Sequence, residues 1–407
     1  MDYDAIVIGA GAAGLMAAIC AAERGRRVLL LEKGKKAGVK ILISGGTRCN
    51  ITHDCDARGI VEAFGPNGKF LHSALAAFGP NDAVAFFEAE GVATKIEETG
   101  KIFPVSDKAL DVLNALLRRL NRSGATLALA EPVTSLAAIP EGGFAVITPK
   151  RTVTCQRVVI TTGGLSFPRC GTTGDGYGFA KQFGHTVTKT TPALVPLKLE
   201  IAWVKELMGV TLHVGLKVRE GENVLATRSG SMLFAHFGLT GPAPLDVSRA
   251  VSGHLNPRSL TLEIDFLPGE TESSLDEFLQ RETLASAKQL LAGILSRKLT
   301  RRLCDQLLPL CGLPVDRTAA ALSKVDRQKL VAAMKRLSVP LAGTLGFEKA
   351  EVTAGGVRLN EVDHKTMQSK LHPGLYLAGE VLDLDGWIGG YNFQFAWSTG
   401  WLAGENV

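Results

Sequence analysis

Gly9, Gly11 and Gly14 form a Gly-x-Gly-x-x-Gly run near the start of the chain. That spacing suits phosphate chemistry. The first glycine permits a tight turn, the second lets backbone approach a pyrophosphate, and the third lets a helix pack close to the preceding strand. A helix opening at Ala12 and Ala13 would offer unpaired N–H groups and the positive end of its dipole to the phosphates. Glu32 stands 18 positions beyond Gly14. A carboxylate there accepts hydrogen bonds from a ribose diol and repels a 2′-phosphate, which disfavours NADP in this slot.

A second set of residues lies at the far end of the chain. The apolar run Leu375–Ala378 meets Gly379-Glu380, with Asp383 just beyond. Gly389-Gly390-Tyr391-Asn392 then precedes an apolar stretch from Phe393 to Leu402 that reads as a helix. In flavoproteins a late strand ends in Gly-Asp or Gly-Glu beside the ribityl chain and pyrophosphate. A following helix aims its N-terminus at flavin O2, where negative charge grows on reduction. NAD enzymes need no such distant element, so the two-ended pattern points to non-covalent FAD. No second Gly-x-Gly-x-x-Gly follows a strand, so no dedicated nicotinamide domain is expected.

Other side chains have two readings. Lys33, Lys40 and Arg48 could neutralise the pyrophosphate or the reduced flavin, or belong to a solvated loop. Cys49 reads as a packed small residue rather than a redox thiol. His236, within Phe234-Ala235-His236-Phe237-Gly238, could donate a proton, or be a core or capping histidine. No residue is singled out as catalytic. The eight histidines show no metal-ligand spacing, and no Gly-x-Ser-x-Gly elbow is present.

The elements that must position these groups can be read from hydropathy. Residues 4–8 and 28–31 read as buried strands flanking a helix over 12–24, and 157–162 is a further buried run entering Gly163-Gly164. Helical patterns cover 69–91 and 107–124. From 194 the pattern changes to strict alternation, at 195–201, 210–218 and 260–266, the mark of half-exposed antiparallel strands. It then becomes helical. The expected fold is α/β: an FAD-binding Rossmann domain over 1–193 and 343–407, interrupted by an insert at 194–342. The insert is β-rich over 194–270 and helical over 271–342.

The 407 residues, 46% of them hydrophobic and 21% charged, exclude disorder and small disulfide scaffolds. Seven cysteines without a Cys-x-x-Cys pair read as reduced thiols in a cytoplasm. Ala5 to Ala22 carries no charge, but Asp2, Asp4 and the glycines argue against a signal peptide or membrane span. Residues 281–337 hold twelve Lys/Arg against four Asp/Glu, while the whole chain carries only +5. That arm could bind RNA, but it lacks aromatic residues for base stacking. The expectation is a small-molecule substrate, no nucleic acid and no membrane. Oligomeric state is left open.

The chain resembles the YhiN/BaiN-like flavoproteins, also called the aminoacetone-oxidase family of FAD-binding proteins, over nearly its whole length. The blocks that carry the likeness are Lys40 to Asn50, Thr161 to Gly164, Gly171 to Tyr177, Gly238 to Pro242, Ala378 to Asp383 and Gly389 to Asn392. The resemblance implies a glutathione-reductase-like FAD domain with an inserted domain that covers substrate. It implies oxidoreductase activity, often NAD(P)H-linked, with NADH or NADPH as a transient reductant. It places Ser44, Gly45, Gly46, Arg48, Cys49 and Asn50 at the cofactor, with Thr162, Gly163, Gly164, Gly379, Glu380, Asp383, Gly390, Tyr391 and Asn392. Val133 resembles the residue that holds adenine through its backbone. The family usually has glycine where this chain has Thr47, threonine at Cys170 and tyrosine at Phe167. An RNA-modifying flavoprotein and a non-enzymatic FAD-binding protein are the alternatives.

Overall fold

The computed structural model describes residues 1–407, the side chain of Ala321 excepted. The chain divides into two compact units, one made of Met1–Thr191 with Glu351–Val407, the other of Pro192–Ala350.

In the first unit the buried run Tyr3–Ile8 forms strand β1, followed by helix α1 over Ala12–Glu23 and strand β2 over Val28–Leu31. β1 and β2 pair in parallel, Ala5 opposite Val28 through Ile8 opposite Leu31. The nine-residue strand β3, Thr152–Ile160, pairs in parallel with the other edge of β1. Its first half pairs antiparallel with Phe144–Ile147, and its last three residues pair in parallel with strand β4, Leu375–Leu377. A strand from the far end of the chain thus lies in the same sheet as β1 and β3. Burial on both faces explains the unbroken apolar runs of β2, β4 and the Ala5–Ile8 part of β1.

Helix α2 spans Tyr391–Asn406, longer at both ends than the apolar stretch suggests. It packs on α1 through glycines. A Cβ added at Gly400 would lie 2.3 Å from the Ala13 carbonyl oxygen, and one at Gly404 2.6 Å from that of Ala17. The helical pattern at 69–91 resolves into two helices, His72–Ala77 and Pro80–Ala89, because Gly79-Pro80 ends one and opens the next. A three-stranded antiparallel sheet of Thr52–His53, Lys101–Pro104 and Thr94–Ile96 has no counterpart in the sequence reading; its strands are too short for a period to emerge.

The second unit has its own core. Its seven-stranded sheet is antiparallel throughout, centred on Thr211–Glu220 and Asn223–Ala235. Val214, Leu216 and Val218 point into the core, with Leu262 and Ile264 of the adjoining strand. Leu275, Leu279, Leu303, Leu307 and Leu330 of the following helices belong to the same core.

Candidate functional site

The turn from β1 into α1 has the expected geometry. A Cβ on Gly14 would lie 1.9 Å from the Gly9 carbonyl oxygen, so only glycine lets the helix approach the strand this closely. A Cβ on Gly11 would meet nothing within 4 Å, which leaves the front of the turn open. Glu32 stands at the end of β2 and is anchored at both oxygens. It accepts the N–H of Ala10 at 2.9 Å and that of Gly34 at 2.6 Å. The Glu32 carbonyl accepts the N–H of Glu131 at 2.9 Å, and half-buried Val133 follows two residues later. The ribose and adenine candidates therefore share one edge.

Gly379, at the end of β4, reaches this turn: a Cβ there would meet the Ala13 side chain at 2.8 Å. Its neighbour Glu380 centres a polar network. Oε2 accepts from Lys40 Nζ at 2.6 Å, while Oε1 accepts from Ser166 Oγ at 2.6 Å and the Thr353 N–H at 2.8 Å. Lys40 Nζ also bonds Ser166 Oγ at 2.7 Å. Gly163 and Gly164 adjoin this network beside Glu380 and Thr353. Asp383 is held by its N–H to the Val357 carbonyl. Lys33 turns to Asp175 and Thr173, each at 2.5 Å.

The Ser44–Asn50 loop has an unusual backbone. Gly45, Gly46, Thr47 and Cys49 have φ of 54°, 68°, 69° and 61°. For the β-branched Thr47 that is a strained conformation. Cys49 is buried and its thiol is pushed up to about 12 by burial, which makes it inert. Arg48 lies 4.0 Å over the Phe103 ring and pairs with Glu97 at 2.6 Å, so its charge is already matched within the protein.

The loop runs into a segment stitched to α2. Thr52 Oγ donates to Gln394 Oε1 at 2.7 Å, Trp397 Nε1 donates to the Ile51 carbonyl at 2.9 Å, and a Cβ on Gly390 would meet Asn50 Oδ1 at 2.8 Å. Gly390, at φ 95°, is the N-cap of α2. The Asn392 side chain holds the preceding loop through Gly386 and Trp387. The Ser44–Asn50 block and the Gly389–Asn392 block, some 340 residues apart in sequence, meet here.

In the first unit, three buried polar atoms have no partner among the described residues: Asn50 Oδ1, Thr162 Oγ1 and Tyr177 OH. Burial raises the Tyr177 hydroxyl, with Glu380 and Asp383 adding to the effect, so it stays protonated and able to donate. Orphaned polar groups of this kind call for a ligand. Helix N-termini at α1 and α2, a lysine, and these groups fit a dinucleotide that carries a polar ring system. Ser166, Thr353 and His53 escaped the sequence reading, and Asp175 stood within the Gly171 to Tyr177 block without being singled out. His236 is exposed at the turn between Asn223–Ala235 and Gly238–Thr240, so it is not a core histidine. No group of three metal-binding side chains occurs among the described residues.

Residues 3–406 match the model of the HI0933-like protein Rossmann domain. The chain belongs to that family. This family corresponds to the YhiN/BaiN-like flavoproteins, and the protein is an FAD-dependent oxidoreductase. It is 38% identical to the ribosomal RNA dihydrouridine synthase of Escherichia coli, over 100% of this chain and 98% of the relative. It is 33% identical to the 3-dehydro-bile acid delta(4,6)-reductase of Clostridium scindens, over 98% and 97%. Among solved structures, the 3-ketosteroid delta1-dehydrogenase of Sterolibacterium denitrificans shares the fold, with a TM-score of 0.53 at 15% identity, over 99% of this chain and 98% of the other. No helix among the described residues is long and apolar enough to cross a membrane.

Proposed function

We propose that this family member reduces a carbon–carbon double bond conjugated to a carbonyl, using NADH or NADPH as reductant. The observation behind the FAD part of the reading is the close approach of Gly379 to Ala13, which brings the Gly379-Glu380 strand end to the Gly9–Gly14 turn. The two relatives narrow the chemistry. A dihydrouridine synthase saturates C5=C6 of uracil, which is conjugated to the C4 carbonyl. A 3-keto steroid with Δ4,6 unsaturation presents the same electron-poor alkene.

FAD, when bound, accepts reducing equivalents and delivers hydride from N5. The protein's part is position and charge. The Gly9–Gly14 turn and Glu32 would hold the adenosine half, with Val133 at the adenine. Lys40, Glu380 and Ser166 fix the region between the two turns. Asn50, Thr162 and Tyr177 offer their orphaned groups. The first turn of α2 would lie at the pyrimidine end, where its dipole would stabilise developing negative charge.

One observation favours a second reading, that the alkene belongs to ribosomal RNA: the full-length match to the E. coli synthase. It stands against the expectation that nucleic acid is not a partner. Part of the basic arm is already matched within the protein. Arg297, Lys298, Arg327 and Lys335 are paired with Glu282, Glu270, Asp276 and Asp265, and Arg302 donates to the backbone carbonyls of Glu206 and Met208. The test is reduction by purified protein with NADH or NADPH of two substrates, unmodified ribosomal RNA and a 3-keto-4,6-diene steroid, read by mass spectrometry. Dihydrouridine in the first selects the RNA reading, and a product two hydrogens heavier in the second selects the small molecule. Saturation of neither overturns the proposed reaction. A cytoplasmic location accords with seven unpaired thiols.

A further inference from the structure

His53 lies against the Gly389-Gly390 turn. Its Nδ1 is 2.9 Å from the Gly389 carbonyl oxygen. A carbonyl only accepts, so Nδ1 carries the proton. The imidazole stacks on Tyr391, the first residue of α2, with centroids 4.5 Å apart and planes 21° from parallel. On another side it is closed in by Gly100, where an added Cβ would meet Nε2 at 2.6 Å. The ring is thus seated from three directions by parts of the chain far apart in sequence.

The bonded carbonyl belongs to the same peptide unit as the Gly390 N–H. In a planar trans peptide these two groups point in opposite directions. Holding the carbonyl toward His53 therefore turns the Gly390 N–H away from it. Gly390 also precedes the N–H groups that open α2. A Gly-Gly peptide is the one most easily rotated, because both flanking residues tolerate either sign of φ. Rotation would exchange a donor for a carbonyl lone pair beside the helix N-terminus.

We propose that His53 is a positioning residue, a latch that fixes the Gly389–Gly390 peptide in its donor-outward orientation. This rests on the reading that the pyrimidine end of FAD lies at the start of α2. The latch then favours the reduced, negatively charged flavin over the oxidised one, because a donor in place of a lone pair stabilises growing negative charge. Asn50 and Thr52 lie close against Gly390 on another side, where they leave no room for a Cβ.

The experiment is a redox titration of FAD bound to wild type, His53→Ala and His53→Asn, beside thermal melts. His53→Asn retains an N–H donor at about the place of Nδ1. His53→Ala should lower the preference for reduced over oxidised flavin about tenfold, a fall of about 30 mV for a two-electron couple. His53→Asn should recover most of it, with both melting temperatures close to wild type. Loss of FAD by His53→Ala but not by His53→Asn counts in favour of the latch. An unchanged potential in His53→Ala overturns the latch and leaves the FAD reading standing. Loss of FAD from both variants with a lowered melting temperature makes His53 merely structural. A wild-type protein that neither purifies with FAD nor binds it overturns the site reading and the latch together.

Discussion

Glu32 and Thr47 show how much a single position can carry. Glu32 bridges two backbone N–H groups with its carboxylate, so it holds the loop after β2 before any cofactor arrives. Glu32→Ala should weaken FAD binding by roughly 1–3 kcal/mol, the range for hydrogen bonds to a charged group. Calorimetric titration of the apoprotein with FAD checks this. Thr47 sits at φ 69° in a loop otherwise served by glycines. Relief of such strain is worth about 1 kcal/mol, and Thr47→Gly should raise stability by about that much, read from urea midpoints. A loss of stability instead would mean that the Thr47 hydroxyl, bonded to the Gly46 carbonyl at 2.6 Å, outweighs the strain.

Helices α1 and α2 act as one element. Their packing depends on glycines that admit backbone against backbone, and it brings the residues preceding both helices to the same end of the sheet. Gly400→Val would push α2 from Ala13. Overpacking at such a contact costs roughly 1–3 kcal/mol, and FAD content after purification should fall with the melting temperature. Gly390→Val is less informative than its place in the sequence suggests. Its Cβ would lie 2.5 Å from the Thr52 carbonyl, at a φ that valine rarely adopts. It must disturb the fold whether or not the turn serves a flavin. The His53 variants avoid that confusion.

At the scale of the molecule, acid sensitivity follows from buried titratable groups of the first unit. His185 is buried, and burial lowers its value from 6.5 although Glu361 opposes this. Burial raises Glu131 and Glu361, but Arg151 and Thr148 bring the first below 4.5, and Thr186 and His185 the second. A depressed folded-state value favours the fold above the unfolded value, and that contribution is lost as pH falls. Melting temperature should therefore decline in two limbs, one starting below pH 6.5 from His185, another below pH 4.5 from the carboxylates. His185→Gln should flatten the first limb and keep the Glu131 part of the second, in a melt series from pH 8 to pH 4. His185 also bonds Ser369 at 2.7 Å. With His185 and Ser369 buried and Glu361 half-buried, the Ser–His–Glu arrangement serves as a clasp rather than a nucleophile.

By itself, the sequence determined what depends on local pattern. The glycine spacing, the apolar runs and the switch to strict alternation near 194 follow from the periods of strands and helices, and they sufficed for the fold class. Family blocks pointed to the cofactor. What the sequence left open is partnership. Lys33, Lys40 and Arg48 look alike along the chain, yet in space Arg48 meets Glu97 and Lys33 meets Asp175, while Lys40 joins Glu380. The basic arm reads as free charge until its acidic partners, some 15 to 70 positions away, come beside it. His53 carries no motif, and its seat is assembled from Gly100, Gly389 and Tyr391. A charge or a ring acquires its role from neighbours that chain folding brings close, and pairing over such separations leaves no period for a sequence reading to find.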